Sequence, residues 1–133
     1  MTRVFADTSF YVAMLNKADT FHARANDFAS AYIGETITTE YVVVELGNWL
    51  SRSSARSQYH TLIKELYADP YTIIVPAEHA ILNSGVELYA QRSDKYWSLT
   101  DCISFVVMSR FGLQDALTTD HHFHQAGFNL LLM

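Results

Sequence analysis

With 133 residues, half of them hydrophobic and 17% charged, the chain has the size and composition of one globular domain and not of a disordered protein. Its formal net charge of −5 argues against binding nucleic acid through the overall field of the protein, so such a partner would need a local basic patch or cations held at an acidic site. The single cysteine, Cys102, excludes an intrachain disulfide and a cysteine-based zinc site, and it fits a reducing compartment. No apolar run approaches the roughly 18 residues of a membrane span, and Asp7 interrupts the N-terminal run. We therefore predict one cytoplasmic domain over residues 1–133.

Short apolar runs alternate with longer helical stretches along the first half of the chain. In chain order, the pattern predicts a strand at 4–6, helices at 9–16 and 21–32, a strand at 35–38, and helices at 40–51 and 55–68. The stretch 40–51 is too long for most strands, and we interpret it as a buried helix. Asp69 and Pro70 then interrupt the pattern.

The second half begins with a β-branched and aromatic strand at 71–75, which Pro76 ends. A helix at 78–90, a polar loop at 91–96, a helix ending near 111, a strand at 116–118, a helical turn at 120–125 and a last strand at 129–132 follow. Ser98 and Asp101 have the spacing of a capping box, and Gly112 suits the position after a helix. Such alternation implies parallel strands joined by right-handed crossovers. The predicted fold class is therefore α/β, with three layers and a mostly parallel central sheet flanked by helices.

Three aspartates are placed where a parallel sheet presents its ligand crevice, at the carboxyl ends of the strands. Asp7 follows the first strand, Asp120 follows the strand at 116–118, and Asp101 lies in the first turn of a helix. Each also has a purely structural explanation. Asp7 and Asp120 are suited to cap the helices that follow them, and Asp101 is suited to stabilise its helix through the helix dipole. Singly, none of the three is specific to a functional site.

Glu45 is harder to explain as a structural residue. Its helical neighbours are mostly apolar, and an unpaired buried carboxylate either takes up a proton or finds a partner. An arginine is the ordinary partner, and a bound cation is the alternative. Mg²⁺ prefers oxygen ligands and uses only a few carboxylates, so Asp7, Glu45, Asp101 and Asp120 together indicate a magnesium site that performs phosphoryl transfer.

At these residues the sequence resembles the PIN-domain family, and in particular its VapC-type toxins. The matching segments are Val4-Phe5-Ala6-Asp7-Thr8-Ser9, Val44-Glu45-Leu46, Leu99-Thr100-Asp101 and Leu117-Thr118-Thr119-Asp120-His121-His122-Phe123. The four acids match in order and spacing over essentially the whole chain. No single segment is specific, but the set in this order is.

The resemblance implies a PIN fold and cleavage of single-stranded RNA with Mg²⁺ or Mn²⁺. It implies that Asp7, Glu45, Asp101 and Asp120 are the catalytic, metal-binding acids. It also implies that Thr8 and Ser9 are polar helpers of Asp7, and that Thr100 is a polar helper of Asp101. For VapC-type members it further implies a homodimer and inhibition by a small antitoxin protein.

Other residues of the chain allow alternative interpretations. The histidines His121, His122 and His124 lack the spacing and the cysteine partners of a structural zinc site, which favours a surface or supporting role. The basic residues Arg52, Arg56 and Lys64 indicate either an RNA-backbone patch or a solvated face. A two-component receiver is disfavoured, because the first strand carries one aspartate only and no lysine follows Lys95. A non-catalytic RNA-binding or scaffolding domain is the alternative from another class.

Overall fold

The computed structural model describes residues Met1–Met133, which form a five-stranded sheet flanked by seven helices. The strands are β1 (Arg3–Ala6), β2 (Glu35–Thr39), β3 (Thr72–Val75), β4 (Asp115–Leu117) and β5 (Asn129–Leu130). The helices are α1 (Thr8–Leu15), α2 (His22–Ala31), α3 (Glu40–Leu50), α4 (Tyr59–Ala68), α5 (His79–Gln91), α6 (Leu99–Arg110) and α7 (His121–Gln125). None of the helices has the combination of length and hydropathy that a transmembrane helix requires.

The sheet is parallel throughout, in the order β3-β2-β1-β4-β5. This confirms the predicted α/β class and makes the sheet wholly rather than mostly parallel. The β1 strand lies at its centre, where Phe5 pairs with Ile37 of β2 and Ala6 pairs with Leu117 of β4. All four of these side chains are buried, as expected for a parallel strand covered on both faces. Together with 23 other apolar residues of the 27-residue core, they form one contiguous hydrophobic cluster.

One predicted helix is different in the structure. The segment predicted as a single helix at 55–68 begins instead as a 3₁₀ helix at Ser54–Gln58, and α4 starts only at Tyr59. Ser53 caps the 3₁₀ turn, because its hydroxyl accepts a hydrogen bond from the Ala55 amide at 3.0 Å. Serine hydroxyls compete for backbone groups in this way and favour short turns over continuous helix.

Helices α5 and α6 pack closely because Gly85 of α5 lies against Ile103 of α6, and a β-carbon at position 85 would overlap the Ile103 side chain. Alanine in place of glycine gains about 1 kcal/mol of helix propensity, whereas overpacking a core costs about 1–3 kcal/mol. We therefore expect Gly85→Ala to lower the melting temperature by several degrees in a thermal melt. Asn83→Ala, at an exposed position of the same helix, is the control and should not lower it. A Gly85→Ala protein at least as stable as the wild type would contradict this packing.

Candidate active site

The strand order creates a crevice between the carboxyl ends of β1 and β4. The β2 strand pairs with one edge of β1, and β4 pairs with the opposite edge, so the strand order reverses at β1. Ligands of parallel α/β sheets bind at such a switch point. A cleft of about 530 Å³ lies there. Its lining includes Asp7, Asp19, Glu45, Asp101, Asp120, His121 and His122. The structure thus places all four acids predicted from the sequence along one cleft.

Asp7 is the most deeply buried of the four acids, with only 5% of its surface exposed. Its backbone is fixed at the end of β1, where the Asp7 amide donates to the Leu117 carbonyl at 3.1 Å. One carboxylate oxygen, Oδ2, accepts hydrogen bonds from the hydroxyls of Ser9 at 3.0 Å and Thr118 at 2.9 Å. Its side chain makes no capping hydrogen bond to α1, so helix capping does not explain this residue.

Burial raises the pKa of Asp7 from 3.8 to about 7, because removal from water penalises the charged carboxylate. The nearby Asp101 raises this pKa further, whereas the hydrogen bonds from Thr118 and Ser9 lower it. No lysine or arginine lines the cleft to compensate the charge. The site therefore holds its carboxylates at an energetic cost near neutral pH.

This cost predicts an unusual pH dependence of stability. A carboxyl group whose pKa is raised on folding contributes stability that is present below about pH 4 and is lost as the pH rises through about 7. We expect the metal-free protein to gain stability, on the order of a few kcal/mol, as the pH falls from 8 towards 5. Thermal melts in EDTA at a series of pH values measure this change.

Asp7→Asn is the control that separates Asp7 from other titrating groups, because asparagine keeps an oxygen acceptor for Ser9 and Thr118 but carries no charge. At pH 8 without metal it should melt above the wild type, and this difference should narrow as the pH falls below about 7 and close only towards pH 4. Parallel pH profiles of the two proteins would show that Asp7 ionises normally in the folded state, and they would remove the electrostatic argument for the site.

Asp101 lies in the first turn of α6 and is 7% exposed. The predicted capping box is confirmed: the Ser98 hydroxyl accepts from the Asp101 amide at 3.0 Å, and Asp101 Oδ2 accepts from the Ser98 amide at 3.1 Å. The same Oδ2 lies 3.0 Å from Nδ1 of His122. Burial and the charge of Asp120 raise the pKa of Asp101, while the contacts with His122 and Ser98 lower it. Asp101 thus caps its helix and faces the cleft at the same time.

Asp120 also has two roles. Its Oδ1 accepts a hydrogen bond from the His122 amide at 2.9 Å and so caps α7, as the structural interpretation predicted. The ring of His122 lies between two acids, with Nδ1 at 3.4 Å from Asp120 Oδ1 as well as near Asp101. Asp120, His121 and His122 each offer a ligand atom within 4.8 Å of the others, and no other three acidic, histidine or cysteine side chains approach one another as closely. His122 therefore supports the acids from within the site, whereas His124 is exposed and does not line the cleft.

Glu45 lies on α3 and is only partly buried, so the expectation of a buried helix was wrong for this face. Val44 and Trp49 on the same helix are 61% and 65% exposed. The hydroxyl of Thr8 donates a hydrogen bond to Glu45 Oε1, and no arginine or lysine pairs with this carboxylate. Thr8 thus supports Glu45, although the resemblance implied that it would support Asp7.

Sequence reasoning missed several residues of the cleft. The Thr118 hydroxyl donates a hydrogen bond to Asp7. Thr100, which the resemblance placed beside Asp101 as a polar helper, does not line the cleft. Asp19 adds a fifth carboxylate, whose Oδ1 accepts from the Phe21 amide at 2.8 Å. Trp49 and Tyr96 also line the cleft. Trp49 was detectable as the residue one helical turn beyond Glu45, but nothing in the sequence placed Tyr96 or Asp19 there.

Comparisons with known proteins identify the family of the chain. The chain matches the family model of the PIN domain over residues 4–129. It is 27% identical over 128 residues to the 23S rRNA-specific endonuclease VapC20 of Mycobacterium tuberculosis, covering 94% of this chain and 95% of VapC20. The crystal structure of M. tuberculosis VapC20, described as a sarcin-ricin loop cleaving toxin, matches with a TM-score of 0.85 and 23% identity over 94% of this chain and 95% of that one. FitAcB from Neisseria gonorrhoeae matches with a TM-score of 0.67 and 16% identity over 96% and 95% of the two chains.

Because the family model matches nearly the whole chain, the chain belongs to the PIN-domain family. The two structural matches, both under 25% identical, show that the fold is shared. The identification made from the sequence, and with it the assignment to a family of nucleases, is confirmed.

Proposed function

We propose that this PIN-domain protein is a Mg²⁺- or Mn²⁺-dependent endoribonuclease and that Asp7, Glu45, Asp101 and Asp120 are its metal-binding and catalytic acids. The observation that carries the proposal is the composition of the cleft. These four carboxylates come from separate parts of the chain and line it together with Asp19, and no lysine or arginine does. Such a cluster is costly by itself and becomes favourable when a cation binds among the acids.

The donor set fits Mg²⁺ or Mn²⁺. Mg²⁺ takes oxygen ligands, keeps several waters and needs only a few carboxylates, which suits acids that line an open cleft without converging on one point. When bound, the cation lowers the pKa of a water molecule and neutralises charge that develops on the phosphate. Asp7 and Asp101 are the two buried members of the set, and we assign them as the principal ligands.

The remaining side chains of the site position these acids. The hydroxyls of Ser9 and Thr118 orient the Asp7 carboxylate, and the Thr8 hydroxyl orients Glu45. The His122 ring lies between Asp101 and Asp120. Hydrogen bonds from such supporting groups fix the direction of a ligand oxygen, and their loss commonly lowers metal affinity or activity about 10–100-fold.

We further propose RNA as the substrate, with cleavage in a single-stranded segment or loop. The support is the relative VapC20, which is named for its action on 23S rRNA and described as cleaving the sarcin-ricin loop. Cytoplasmic localisation follows from this substrate.

The toxin role is part of the same proposal, because VapC20 is described as a toxin. We propose that the chain acts as one domain, that a small antitoxin protein inhibits it, and that both are produced together. Co-purification of the chain with the product of an adjacent reading frame, and inhibition of its nuclease activity by that product, would support this arrangement.

We also propose a homodimer, assembled through exposed apolar and aromatic surface. Val86 and Tyr89 on α5 and Leu99 on α6 are 43%, 54% and 38% exposed, and exposed apolar groups that lie together commonly mark contacts. Light scattering at tens of micromolar should give twice the mass of the chain, and Val86→Asp should shift it towards the monomer. A monomeric wild type under these conditions would refute the dimer.

The proposed function is tested by mapping the ends of RNA cut by the purified protein. Ribosomal RNA and total transcripts are incubated with the protein and Mn²⁺, and new 5′ ends are located by sequencing. We expect discrete new ends that are absent in an Asp7→Asn control prepared in the same way. RNA binding without new ends would instead favour the non-catalytic alternative.

A further inference from the structure

Two aromatic side chains on the rim of the carboxylate cleft have no partner within the chain. Trp49 is 65% exposed and Tyr96 is 94% exposed. Neither ring pairs with another aromatic ring, in contrast to the neighbouring Trp97. The Trp97 side chain is 5% exposed, and its ring centroid lies 5.0 Å from that of Phe105. Its indole N–H donates a hydrogen bond to Gln125 Oε1 at 2.9 Å. The fold thus anchors Trp97 in the core and leaves Trp49 and Tyr96 in solvent beside the acids.

Each exposed ring is attached next to one of the proposed metal-binding acids. Trp49 lies one helical turn beyond Glu45 on α3, and residues at this spacing are neighbours on the helix surface. Tyr96 precedes by two positions Ser98, the residue that caps α6 together with Asp101. The rings therefore line the cleft from two different parts of the chain.

The charge of the cleft makes such rings important for binding RNA. Five carboxylates and no lysine or arginine line it, and the chain as a whole carries a formal charge of −5. Within this cleft, phosphates are therefore attracted only where a cation is bound, because no basic side chain lines it. Stacking of a base on an aromatic ring does not depend on net charge, and each stacked base increases affinity on the order of tenfold or more.

We propose that Trp49 and Tyr96 form a stacking platform that holds unpaired RNA bases on either side of the phosphate to be cleaved. This inference rests on the proposed ribonuclease function and names the residues that position its substrate. It also gives a physical reason for single-stranded substrates, because bases within a duplex already stack on each other and cannot lie flat on a protein ring.

The first test is kinetic. Trp49→Ala and Tyr96→Ala should each raise KM for RNA about tenfold with a smaller change in kcat, because the rings hold the bases and do not touch the reacting atoms. Trp49→Phe and Tyr96→Phe keep a flat ring and should restore KM to within a few fold of the wild type. Tyr71→Ala removes a ring that is 55% exposed and does not line the cleft, and it should leave KM unchanged.

The second test is spectroscopic and does not require cleavage. The chain has two tryptophans, and Trp97 is buried, so quenching of tryptophan fluorescence by RNA reports on Trp49. In Mg²⁺, a short single-stranded oligouridylate should quench the wild type and leave Trp49→Phe unchanged. The matched abasic oligonucleotide carries the same phosphates without bases, and it should cause little quenching.

The outcomes separate this inference from the function on which it rests. Absence of RNA cleavage by the wild type in Mn²⁺ would contradict the proposed function, while base-dependent quenching would still support the platform. Wild-type cleavage together with an unchanged KM in both alanine variants overturns the platform alone. Equal quenching by the abasic oligonucleotide also overturns it. So does a change of mass of either alanine variant in light scattering with KM unchanged, because the ring would then belong to a protein interface. Tyr96 is included because it lies beside Val86, Tyr89 and Leu99, the surface proposed for the dimer.

Discussion

Replacing Asp7 or Asp101 by asparagine is expected to reduce RNA cleavage on the order of a thousandfold, equivalent to about 4 kcal/mol of transition-state stabilisation. These are the two most buried acids of the cleft. Asparagine has nearly the same size and keeps an oxygen that accepts the hydrogen bonds of Ser9 and Thr118, or of Ser98. The substitution therefore removes charge and metal affinity while it preserves packing. Initial rates of cleavage of one defined RNA, compared with the wild type, measure the effect.

The matched control is Asp27→Asn. Asp27 is an exposed acid on α2 that lies outside the cleft, so its loss changes the net charge by the same amount at a distance from the site. Its rate should equal that of the wild type. Glu45→Gln and Asp120→Asn should also reduce cleavage severely. Circular dichroism must show that each protein is folded, and wild-type turnover by folded Asp7→Asn or Asp101→Asn would make the assignment of the acids wrong.

Removal of divalent cations should reduce RNA cleavage at least as much as Asp7→Asn or Asp101→Asn does. The cleft offers carboxylates and two histidines but no lysine or arginine that would stabilise charge developing on a phosphate. We therefore expect excess EDTA to abolish measurable cleavage, and addition of Mg²⁺ or Mn²⁺ beyond the chelator to restore it. The measurement is the rate on a defined RNA across this sequence of additions.

An ionic-strength control is needed because added salt also weakens RNA binding. Sodium chloride added to the EDTA-treated protein at equal ionic strength should not restore RNA cleavage. Full activity in EDTA would mean that the reaction proceeds without a metal ion, and the four acids would then need another explanation.

The fold was predictable because strand and helix periods differ and because each strand is bounded by clear turn signals. Every predicted strand and helix corresponds to an element of the structure, with boundaries shifted by one or two residues at most ends. The main error, at 55–68, arose where apolar spacing continued through a serine-rich turn. There the hydrogen bond that the Ser53 hydroxyl accepts from the Ala55 amide decided the local structure. The single-domain organisation of the full protein stays a prediction.

The acids of the site were predictable from their positions at strand ends and helix starts, but their supporting partners were not. The contact between His122 and Asp101 joins α7 to α6, and that between Thr118 and Asp7 joins β4 to β1. Such contacts depend on the order of strands in the sheet, which periodicity does not specify. The partial exposure of Glu45 had the same origin, since an apolar helix sequence does not reveal which of its faces the neighbouring elements leave open.

The most direct test of the four-acid site is the melting temperature of the wild type and of Asp101→Asn, each measured with and without Mn²⁺ near neutral pH. A cation that binds only the folded state stabilises it by about 2.7 kcal/mol at a hundred times its Kd, so Mn²⁺ should raise the melting temperature of the wild type by several degrees. Without metal, Asp101→Asn should melt at or above the wild type because the substitution relieves repulsion with Asp120, and it should lose most of the Mn²⁺ response. An Asp101→Asn protein that is clearly destabilised without metal and keeps the full Mn²⁺ shift would show that Asp101 serves only to cap α6, and that the metal-binding acids are not the ones named here.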